Sequence, residues 1–306
     1  MLQSILMQKA GVATQGLANI LFGLSVGDRI PTITELSASL ETARGNVQFA
    51  INNLKNLGAV KFNPRGHLGT FLIEIDYLKL AEICGVTNFV CAMPLPYSKK
   101  YEGLATGLYS ALNSDDFSMN LAFMRGSSNR MDMLIGRRYD FLVMSKTAYL
   151  YYLRKGSPIE IIAELGPQTY VNKHVIVARK NVLGDWKGKK IGIDKSSVDQ
   201  SELTMEYFKD KQVQFVPLMY NQFLEYIDNN EIDAAVWNAD DQGIENKNFK
   251  FLDLEASAME MSCTEAVLVC KKDDVITRRL VSEIIDIKLM KRQQRLVEEN
   301  KITPCY

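Results

Sequence analysis

The sequence predicts an α/β protein with two domains, an N-terminal winged helix-turn-helix and a larger C-terminal α/β domain. Residues 1–75 show two amphipathic helices followed by two short strands, and residues 86–306 alternate strands and helices. A chain of 306 residues has about the length of two domains of ordinary size. The elements below support each half of this prediction.

Composition indicates an ordinary folded protein whose basic charge is local. Hydrophobic residues make up 47% of the chain, and 36 Lys and Arg balance 36 Asp and Glu. Residues 42–70 differ, because they contain no acidic residue. Their basic side chains are Arg44, Lys55, Lys61 and Arg65.

Several protein classes are excluded or disfavoured. No apolar run approaches the roughly 18 residues that a membrane span needs. Residues 10–24 resemble the apolar part of a signal peptide only faintly, and no cleavage site follows before Asp28, so we expect a cytoplasmic protein. Five cysteines without C-x-x-C spacing indicate buried, reduced thiols. Two histidines more than a hundred residues apart disfavour a histidine metal site, so neither a metal nor a cofactor is expected.

The N-terminal helices have clear signals. Thr32, followed three residues later by Glu35, predicts a capping box at the start of the first helix of the motif. The second helix has its apolar stripe at Val47, Ala50, Ile51, Leu54 and Leu57, and it ends before Gly58. Strands at 59–62 and 70–75, joined by a turn at 63–66, complete a winged helix-turn-helix.

The outer face of the second helix is a candidate DNA interface. Burial of its apolar stripe leaves Arg44, Asn46, Gln48, Asn52 and Asn53 away from the core. Arg and Gln side chains can read guanine and adenine edges in a major groove. Arg65 and His67 at the hairpin tip are placed for phosphate or minor-groove contacts. The alternative is that these residues are solvated side chains of a partner-binding domain.

This segment resembles the GntR-type winged helix. The matching residues are Leu24, Gly27–Thr32, Glu35–Leu36, Arg44, Asn46–Val47, Ala50–Ile51, Leu54, Gly58–Val60 and Gly69–Leu72. Three positions depart from the family: Thr34 and Gln48 replace arginines, and Ala43 replaces the serine that opens the second helix, so we expect Thr42 to cap it. The resemblance implies DNA contacts from Thr34, Thr42, Arg44, Asn46, Gln48, Arg65 and His67.

Residues 76–85 are predicted to be a linker, and residues 86–306 to be a ligand-binding domain. Strands are expected at 89–93, 119–123, 140–144, 159–164, 175–178, 190–193, 213–217 and 234–237, with helices between them. Such alternation predicts right-handed crossovers and mostly parallel sheets. Asp140 and Asp233 each follow a helix and precede a strand in equivalent turns.

The second domain resembles the type II periplasmic-binding-protein fold and, more closely, the YhfZ family. The closer resemblance is in Val90–Tyr97, Tyr101–Ala105, Met124–Gly126, Glu164–Pro167, Thr169–Val171, Ser197, Asp199–Gln200 and Thr264–Val267. It implies two lobes, the second at about 173–243, with a ligand cleft between them. Together with the winged helix, it implies a ligand-responsive transcriptional regulator.

Ligands of open α/β sheets bind beyond the carboxyl ends of strands, near helix N-termini. The predicted ligand-binding residues are Pro94, Tyr97, Ser127, Ser128, Ser145, Lys195, Ser196, Ser197 and Asn238, with Tyr170 and Glu265 as wall residues. The repeated serines favour a small anion such as a carboxylate or a phosphate. The alternative is that Ser128 and Ser197 are ordinary N-caps, and that His174 is a polar residue flanking a strand.

No catalytic motif is present, so we expect a protein that is not an enzyme. Two other functions stay open: an enzyme of small-molecule metabolism built on the same fold, and the solute receptor of a transporter. A single winged helix per chain predicts a homodimer on duplex DNA, because paired half-sites usually mirror protein symmetry.

Overall fold

The structure is a computed structural model that describes residues 9–113, 117–182, 185–240, 248–254 and 257–306. The chain divides into two compact units. Unit 1 comprises the chain up to Asn88 together with Asp274–Ile284, and unit 2 comprises Phe89–Asp273 and Ile285–Tyr306. Among the described residues, no helix is long and apolar enough to cross a membrane.

Unit 1 contains the predicted winged helix-turn-helix. Its elements are α1 (Lys9–Leu21), α2 (Ile33–Ser39), α3 (Arg44–Asn56), β1 (Val60–Pro64), β2 (Thr70–Ile75), α4 (Tyr77–Cys84) and, far along the chain, α11 (Val275–Ile284). β1 and β2 pair antiparallel and form the wing. The core of the unit includes Leu17, Leu21, Leu36, Val47, Ala50 and Leu54.

The start of α2 confirms the capping box. The Thr32 hydroxyl accepts a hydrogen bond from the backbone N–H of Glu35, and the Glu35 carboxylate accepts one from the N–H of Thr32. These bonds hold the pKa of Glu35 below its ordinary value. The capping box thus fixes the orientation in which α2 begins.

The start of α3 differs from the expectation that Thr42 caps the helix. The residue at the N-cap is Ala43, which has no side-chain acceptor. The Thr42 hydroxyl oxygen instead accepts a hydrogen bond from the Asn46 side-chain amide at 2.9 Å. Thr42 lies one residue too early to reach the backbone N–H groups of the first turn.

Residues 76–85, predicted to be a linker, fold as a helix of unit 1. Asp76 caps α4 by accepting from the N–H of Lys79, and Gly85 ends it in the left-handed region. Leu80 and Ala81 are buried, and the Tyr77 hydroxyl donates to the carbonyl of Leu24. Six of the ten residues in this segment are apolar, and the expectation of a linker was wrong.

α11 also belongs to unit 1 rather than to the predicted ligand-binding domain. It packs against α4, and the Arg279 guanidinium donates to the Ser25 hydroxyl at 2.9 Å. The same guanidinium lies 5.7 Å from the centre of the Tyr77 ring. Unit 1 is therefore assembled from two separate stretches of sequence.

Unit 2 consists of two lobes, each built on a five-stranded sheet. The first lobe contains β3 (Asn88–Met93), α5 (Lys99–Leu112), β4 (Ser118–Phe123), α6 (Ser127–Ile135), β5 (Phe141–Ser145), α7 (Lys146–Arg154), β6 (Ile159–Glu164), α10 (Ala258–Thr264), β12 (Ala266–Lys271) and α12 (Ile287–Glu298). The second lobe contains β7 (His174–Arg179), β8 (Lys190–Ile193), α8 (Val198–Phe208), β9 (Gln214–Pro217), α9 (Phe223–Asp228), β10 (Ala234–Asn238) and β11 (Phe249–Asp253). Most of the strands in these lists lie within a residue or two of their predicted positions.

The sheets are mixed, not mostly parallel. Their strand orders are β4-β3-β5-β12-β6 and β11-β7-β10-β8-β9. β12 runs antiparallel to β5 and β6, and β7 runs antiparallel to β10 and β11. β7 and β12 are the strands by which the chain enters one lobe from the other, so no right-handed crossover fixes their direction. The second lobe also continues past the predicted end at 243, because β11 completes its sheet.

Asp140 and Asp233 have equivalent roles in the two lobes. The Asp140 carboxylate accepts from the N–H of Val90 at 2.7 Å, next to the start of β3. The Asp233 carboxylate accepts from the N–H of Lys190 at 2.8 Å, at the start of β8. Asp140 precedes β5 and holds the neighbouring strand β3 near its start. Asp233 precedes β10 and holds the start of the neighbouring strand β8. The two turns are therefore equivalent in the structure, as they are in the sequence.

Candidate functional site

A cavity of about 60 Å³ lies between the lobes of unit 2. Its lining residues are Pro94, Tyr97, Tyr101, Arg125, Gly126, Ser127, Arg130, Tyr170, His174, Asp194, Ser197, Asp199, Gln200, Tyr220 and Asn238. Pro94 follows β3, Ser127 begins α6, and Asn238 ends β10. The cavity thus lies beyond the carboxyl ends of strands from both lobes, where α/β sheets bind ligands.

The structure brings six of the predicted ligand residues to this cavity, and the other five lie elsewhere. Pro94, Tyr97, Ser127, Tyr170, Ser197 and Asn238 line it. Glu265 instead forms an ion pair with Lys146, with 3.3 Å between carboxylate and ammonium, on a different surface. Ser128, Ser145 and Ser196 do not line the cavity but connect the two lobes beside it. Lys195 is exposed outside it.

The serines at the helix starts hydrogen-bond across the lobes. The Ser128 hydroxyl donates to the carbonyl of Ser196 at 3.1 Å, and the Ser127 hydroxyl accepts from the N–H of Val198 at 3.2 Å. Gly126, at φ +77°, makes this approach possible, because a Cβ there would lie 3.0 Å from the Ser196 carbonyl oxygen. These hydrogen bonds connect the two lobes beside the cavity, and the anion site that the sequence suggested stays a prediction.

Ser145 and Asp199 form a further contact between the lobes. The Ser145 hydroxyl caps α7 by accepting from the N–H of Ala148 at 2.9 Å, and it donates to the Asp199 carboxylate. Asp199 lies in α8 of the second lobe and is almost completely buried. Burial raises the pKa of Asp199, against the lowering effects of the Ser145 hydrogen bond and of His174.

Arg130 is the buried cation of the cavity. It lies in α6 and is 2% exposed. Its guanidinium donates to the carbonyl of Met124 at 2.8 Å and to the Tyr170 hydroxyl at 3.3 Å. Among the described residues, no carboxylate lies within 4.0 Å of it, whereas the other buried cation, Lys100, is ion-paired with Glu298. A buried guanidinium without a nearby counterion is costly, and a bound anion would compensate it.

Three residues that line this cavity each have a buried polar atom without a hydrogen-bond partner. These atoms are Nε of Arg130, Nδ2 of Asn238 and Nδ1 of His174. The His174 atom lies 3.9 Å from the nearest Glu260 carboxylate oxygen, beyond hydrogen-bonding distance. Unpaired buried donors are rare in folded proteins, and acceptor oxygens of a ligand would satisfy these. The cavity has room for only a few water-sized groups in this conformation.

Aromatic rings from both lobes cover the cavity. Tyr97 of the first lobe stacks on Tyr220 of the second, with 6.2 Å between ring centres. Tyr220 stacks in turn on Trp237 at 4.2 Å. The Tyr220 hydroxyl accepts from the N–H of Asn238, which fixes the ring beside a lining residue. Tyr97 is 41% exposed, so this pair lies at the mouth of the cavity.

Sequence reasoning missed the charged residues of the cavity. Arg130 and Asp199 were not singled out, and His174 was interpreted as a strand-flanking residue. A signal existed for Arg130, because it follows Ser127 by three residues and therefore shares its helix face. Asp199 and Gln200 were part of the family resemblance but were not assigned to the site.

Three of the cysteine thiols are not activated as nucleophiles. Burial raises the pKa of the thiols of Cys91 and Cys263, and it raises the pKa of Cys84 to about 11, so these thiols are protonated at neutral pH. All five cysteines are free. The expectation of five buried thiols was too broad, because Cys84 is half-buried and Cys305 is exposed. No cluster of potential metal ligands occurs among the described residues.

In unit 1, α3 presents an outward face without acidic residues. Arg44, Gln48 and Asn52 are exposed on it, and Gln48 donates to the Asn52 side chain at 3.4 Å. Asn46 and Asn53 are half-buried at its flanks. The predicted contact residues of α3 are therefore divided between this face and its edges.

The wing and α2 add further polar residues. Thr34 is exposed in the first turn of α2, and His67 is exposed in the loop between β1 and β2. The Arg65 guanidinium lies 4.7 Å from the centre of the Phe71 ring, which orients it on the wing. Lys61 does not contribute free charge, because it is ion-paired with Glu74 at 2.6 Å. Arg29, which the sequence analysis did not single out, packs against Gly69 of the wing.

Comparison with known proteins identifies the family. Residues 76–306 match the YhfZ C-terminal domain, and residues 25–72 match a helix-turn-helix domain. The chain is 33% identical over 305 residues to the uncharacterized protein YhfZ of Escherichia coli strain K12, with 98% of each chain covered. The chain belongs to the YhfZ family. A helix-turn-helix domain in a YhfZ-family chain fits a DNA-binding regulator and favours a binding protein over an enzyme.

Solved structures agree with the fold of this YhfZ-family chain. It is similar to the crystal structure of YhfZ from Shigella flexneri, with a TM-score of 0.66 and 33% identity, over 76% of this chain and 98% of that one. It also resembles the periplasmic aliphatic sulphonate binding protein SsuA from Escherichia coli, with a TM-score of 0.54 and 9% identity, over 70% and 75% of the two chains. The second likeness concerns the fold alone, and it confirms a domain like the periplasmic binding proteins.

Proposed function

We propose that this protein is a cytoplasmic, ligand-responsive transcriptional regulator of GntR-like type. Unit 1 binds duplex DNA through α3 and the wing, and unit 2 binds a small anionic metabolite in the cavity between its lobes. A ligand can shift the DNA-binding equilibrium only if it binds one conformation more tightly than another. Closure of the lobes around the ligand is the change that supplies this difference in affinity.

The observation that carries the proposal is the buried Arg130 guanidinium. Arg130 lines the cavity, its Nε has no hydrogen-bond partner and it has no carboxylate partner among the described residues; Asn238 also lines the cavity, and its Nδ2 has no partner. Two donors of this kind favour a ligand with a carboxylate, sulfonate or phosphate group. Ser127 and Ser197 line the same cavity, and a role of their hydroxyls in anion binding stays a prediction.

A thermal-shift screen tests the ligand class. We expect hits among carboxylates, amino acids and phosphorylated sugars, and none among apolar or purely cationic compounds. A ligand at a hundredfold excess over its Kd stabilises the folded state by about 2.7 kcal/mol. Arg130→Met should abolish the shift without lowering the unliganded melting temperature, since replacing a buried charge by a hydrophobic residue is often neutral or stabilising.

The matched control is Arg138→Met, which removes an exposed arginine of the same unit. It should retain the full ligand shift. If the shift persists in Arg130→Met, or is lost equally in Arg138→Met, the anion site at Arg130 is wrong.

Salt titration of the full-length chain tests whether it binds DNA. Neutralising Z phosphates gives a log–log salt slope of about −0.9Z, so removal of one phosphate contact should lower the slope by about 1. We expect this of Arg44→Ala, with Lys61→Ala as the control, because Lys61 is already ion-paired. Affinity that changes neither with salt nor in Arg44→Ala would contradict DNA binding by α3.

A further inference from the structure

We propose that Phe49 reads a thymine in the major groove by packing against its 5-methyl group. This inference rests on the proposed DNA-binding function and adds a specificity-determining residue to it. The DNA-contact residues that the sequence predicts in α3 are all polar, so Phe49 is not among them. The structure places its ring among them.

Phe49 projects from the outward face of α3. The helix buries Val47, Ala50 and Leu54, and Phe49 is 53% exposed. At 100° per residue, positions 48, 49 and 52 lie opposite this buried stripe. Within Arg44–Asn56, which the structure describes throughout, Phe49 is the one apolar side chain that is exposed.

Nothing in the described part of unit 1 accounts for the exposed ring. Phe49 has no aromatic partner there, whereas Phe22 and Phe71 contact Tyr77 and Arg65, respectively. An exposed phenyl surface loses the free energy that its burial would contribute. A ring so placed on a predicted recognition helix indicates a surface that is covered in the bound state.

The charges around the ring favour DNA as the surface that covers it. Arg44 and Lys55 lie on the same helix, and α3 contains no acidic residue. Gln48 and Asn52 beside the ring carry amides that pair with adenine edges. In the major groove, thymine alone presents a methyl group, and Phe is one of the side chains that contact it. We therefore expect Phe49 to recognise thymine next to the bases that the amides read.

Replacement of thymine by uracil tests the contact, because it removes the 5-methyl group and nothing else. Full-length protein first selects its site from random duplexes, and each thymine of that site is then replaced in turn. For the wild type, one replacement per half-site should weaken binding about fourfold, the value of one buried methyl group. Phe49→Ala should bind more weakly and lose the sensitivity at that position.

Two controls separate the contact from other effects. Leu57→Ala removes another exposed apolar side chain at the end of α3 and should keep the uracil penalty. Phe49→Gln should behave as Phe49→Ala, and both should melt within about 1 °C of the wild type, because an exposed side chain contributes little to folding.

The outcomes distinguish this inference from the function on which it rests. If Phe49→Ala keeps the same uracil penalty at every position, Phe49 does not read thymine, although the protein still binds DNA. If Phe49→Ala changes the oligomeric state in sedimentation, the ring belongs to a protein interface and the inference is wrong. If the wild type binds no duplex at any salt concentration, the proposed DNA-binding function fails as well.

Discussion

Arg130 and Asp199 belong to different lobes and line the same cavity. One side chain is basic and the other acidic, but the two are not ion-paired. Burial raises the pKa of Asp199, against the lowering effects of the Ser145 hydrogen bond, of His174 and of Arg130. The proposal of an anionic ligand rests on the Arg130 guanidinium, which has no ion-pair partner among the described residues. Small changes at these two residues should separate ligand affinity from folding stability.

Asp199→Asn should stabilise the unliganded protein at neutral pH. The raised pKa means that the folded chain binds this proton more tightly than the unfolded chain does, so the wild type loses stability as pH rises above the ordinary value of 3.8. The Asn side chain keeps an oxygen that can accept from the Ser145 hydroxyl, but it does not titrate. The melting-temperature difference, variant minus wild type, should increase between pH 4 and the raised pKa and then level off.

Glu206→Gln is the matched control for this prediction, since Glu206 is an exposed carboxylate of the same helix, α8. It should show no such increase. If the wild type is more stable than Asp199→Asn at pH 8, Arg130 and His174 hold the carboxylate charged. The pKa of Asp199 is then not raised, and the prediction is wrong.

At the residue scale, the sequence predicted the location of the cavity better than its chemistry. Pro94, Ser127 and Asn238 were found because strand ends and helix starts can be recognised from hydrophobic runs and turn residues. The roles of Arg130 and Asp199 depend on burial, and burial depends on how two lobes close. That closure involves residues about seventy positions apart, so no local pattern reveals it.

At the element scale, the uncapped start of α3 offers a gain in stability. Ala43 has extended N-cap backbone angles but no side-chain acceptor for the N–H groups of the first turn. Ala43→Ser should supply one and raise the free energy of unfolding of unit 1 by about 1 kcal/mol. Chemical denaturation of the full-length chain, followed by a probe in unit 1, measures this.

Ala43→Val is the control, because it adds volume at the same exposed position without an acceptor. Equal stability of the Ser and Val variants would show that the first-turn N–H groups of α3 are already satisfied by water. DNA affinity is measured alongside, since a better cap stabilises the helix that presents Phe49 and Gln48.

Strand positions were predictable from the sequence, but strand directions were not. β5 and β10 are buried runs whose length and composition identify them as strands. β7 and β12 fit the same description, yet they run antiparallel because the chain enters each lobe from the other. α4 was missed for a different reason, since its eight residues contain only two that are fully buried.

At the scale of the whole molecule, we expect a homodimer on a two-fold-related DNA site. One winged helix contacts too little DNA for high specificity, and paired half-sites about one helical turn apart, or multiples of it, mirror a protein two-fold axis. Sedimentation of the full-length protein should give twice the mass of 34.6 kDa. Footprinting should show two protected half-sites.

A monomer that protects a single half-site would contradict this expectation.

A ligand added to the protein–DNA complex should change the DNA affinity or the preferred half-site spacing of the wild type and of Arg138→Met. It should change neither in Arg130→Met. This comparison links the cavity to DNA within one experiment.

The return of α11 to unit 1 has a consequence for synthesis on the ribosome. The helix-turn-helix is translated first, but the segment 274–284 that packs against α4 emerges only near the end of the chain. Domains usually fold as they leave the ribosome, N-terminal first, and this one must wait for almost the entire polypeptide. A nascent or prematurely terminated chain that lacks residues 274–284 therefore carries an incomplete unit 1.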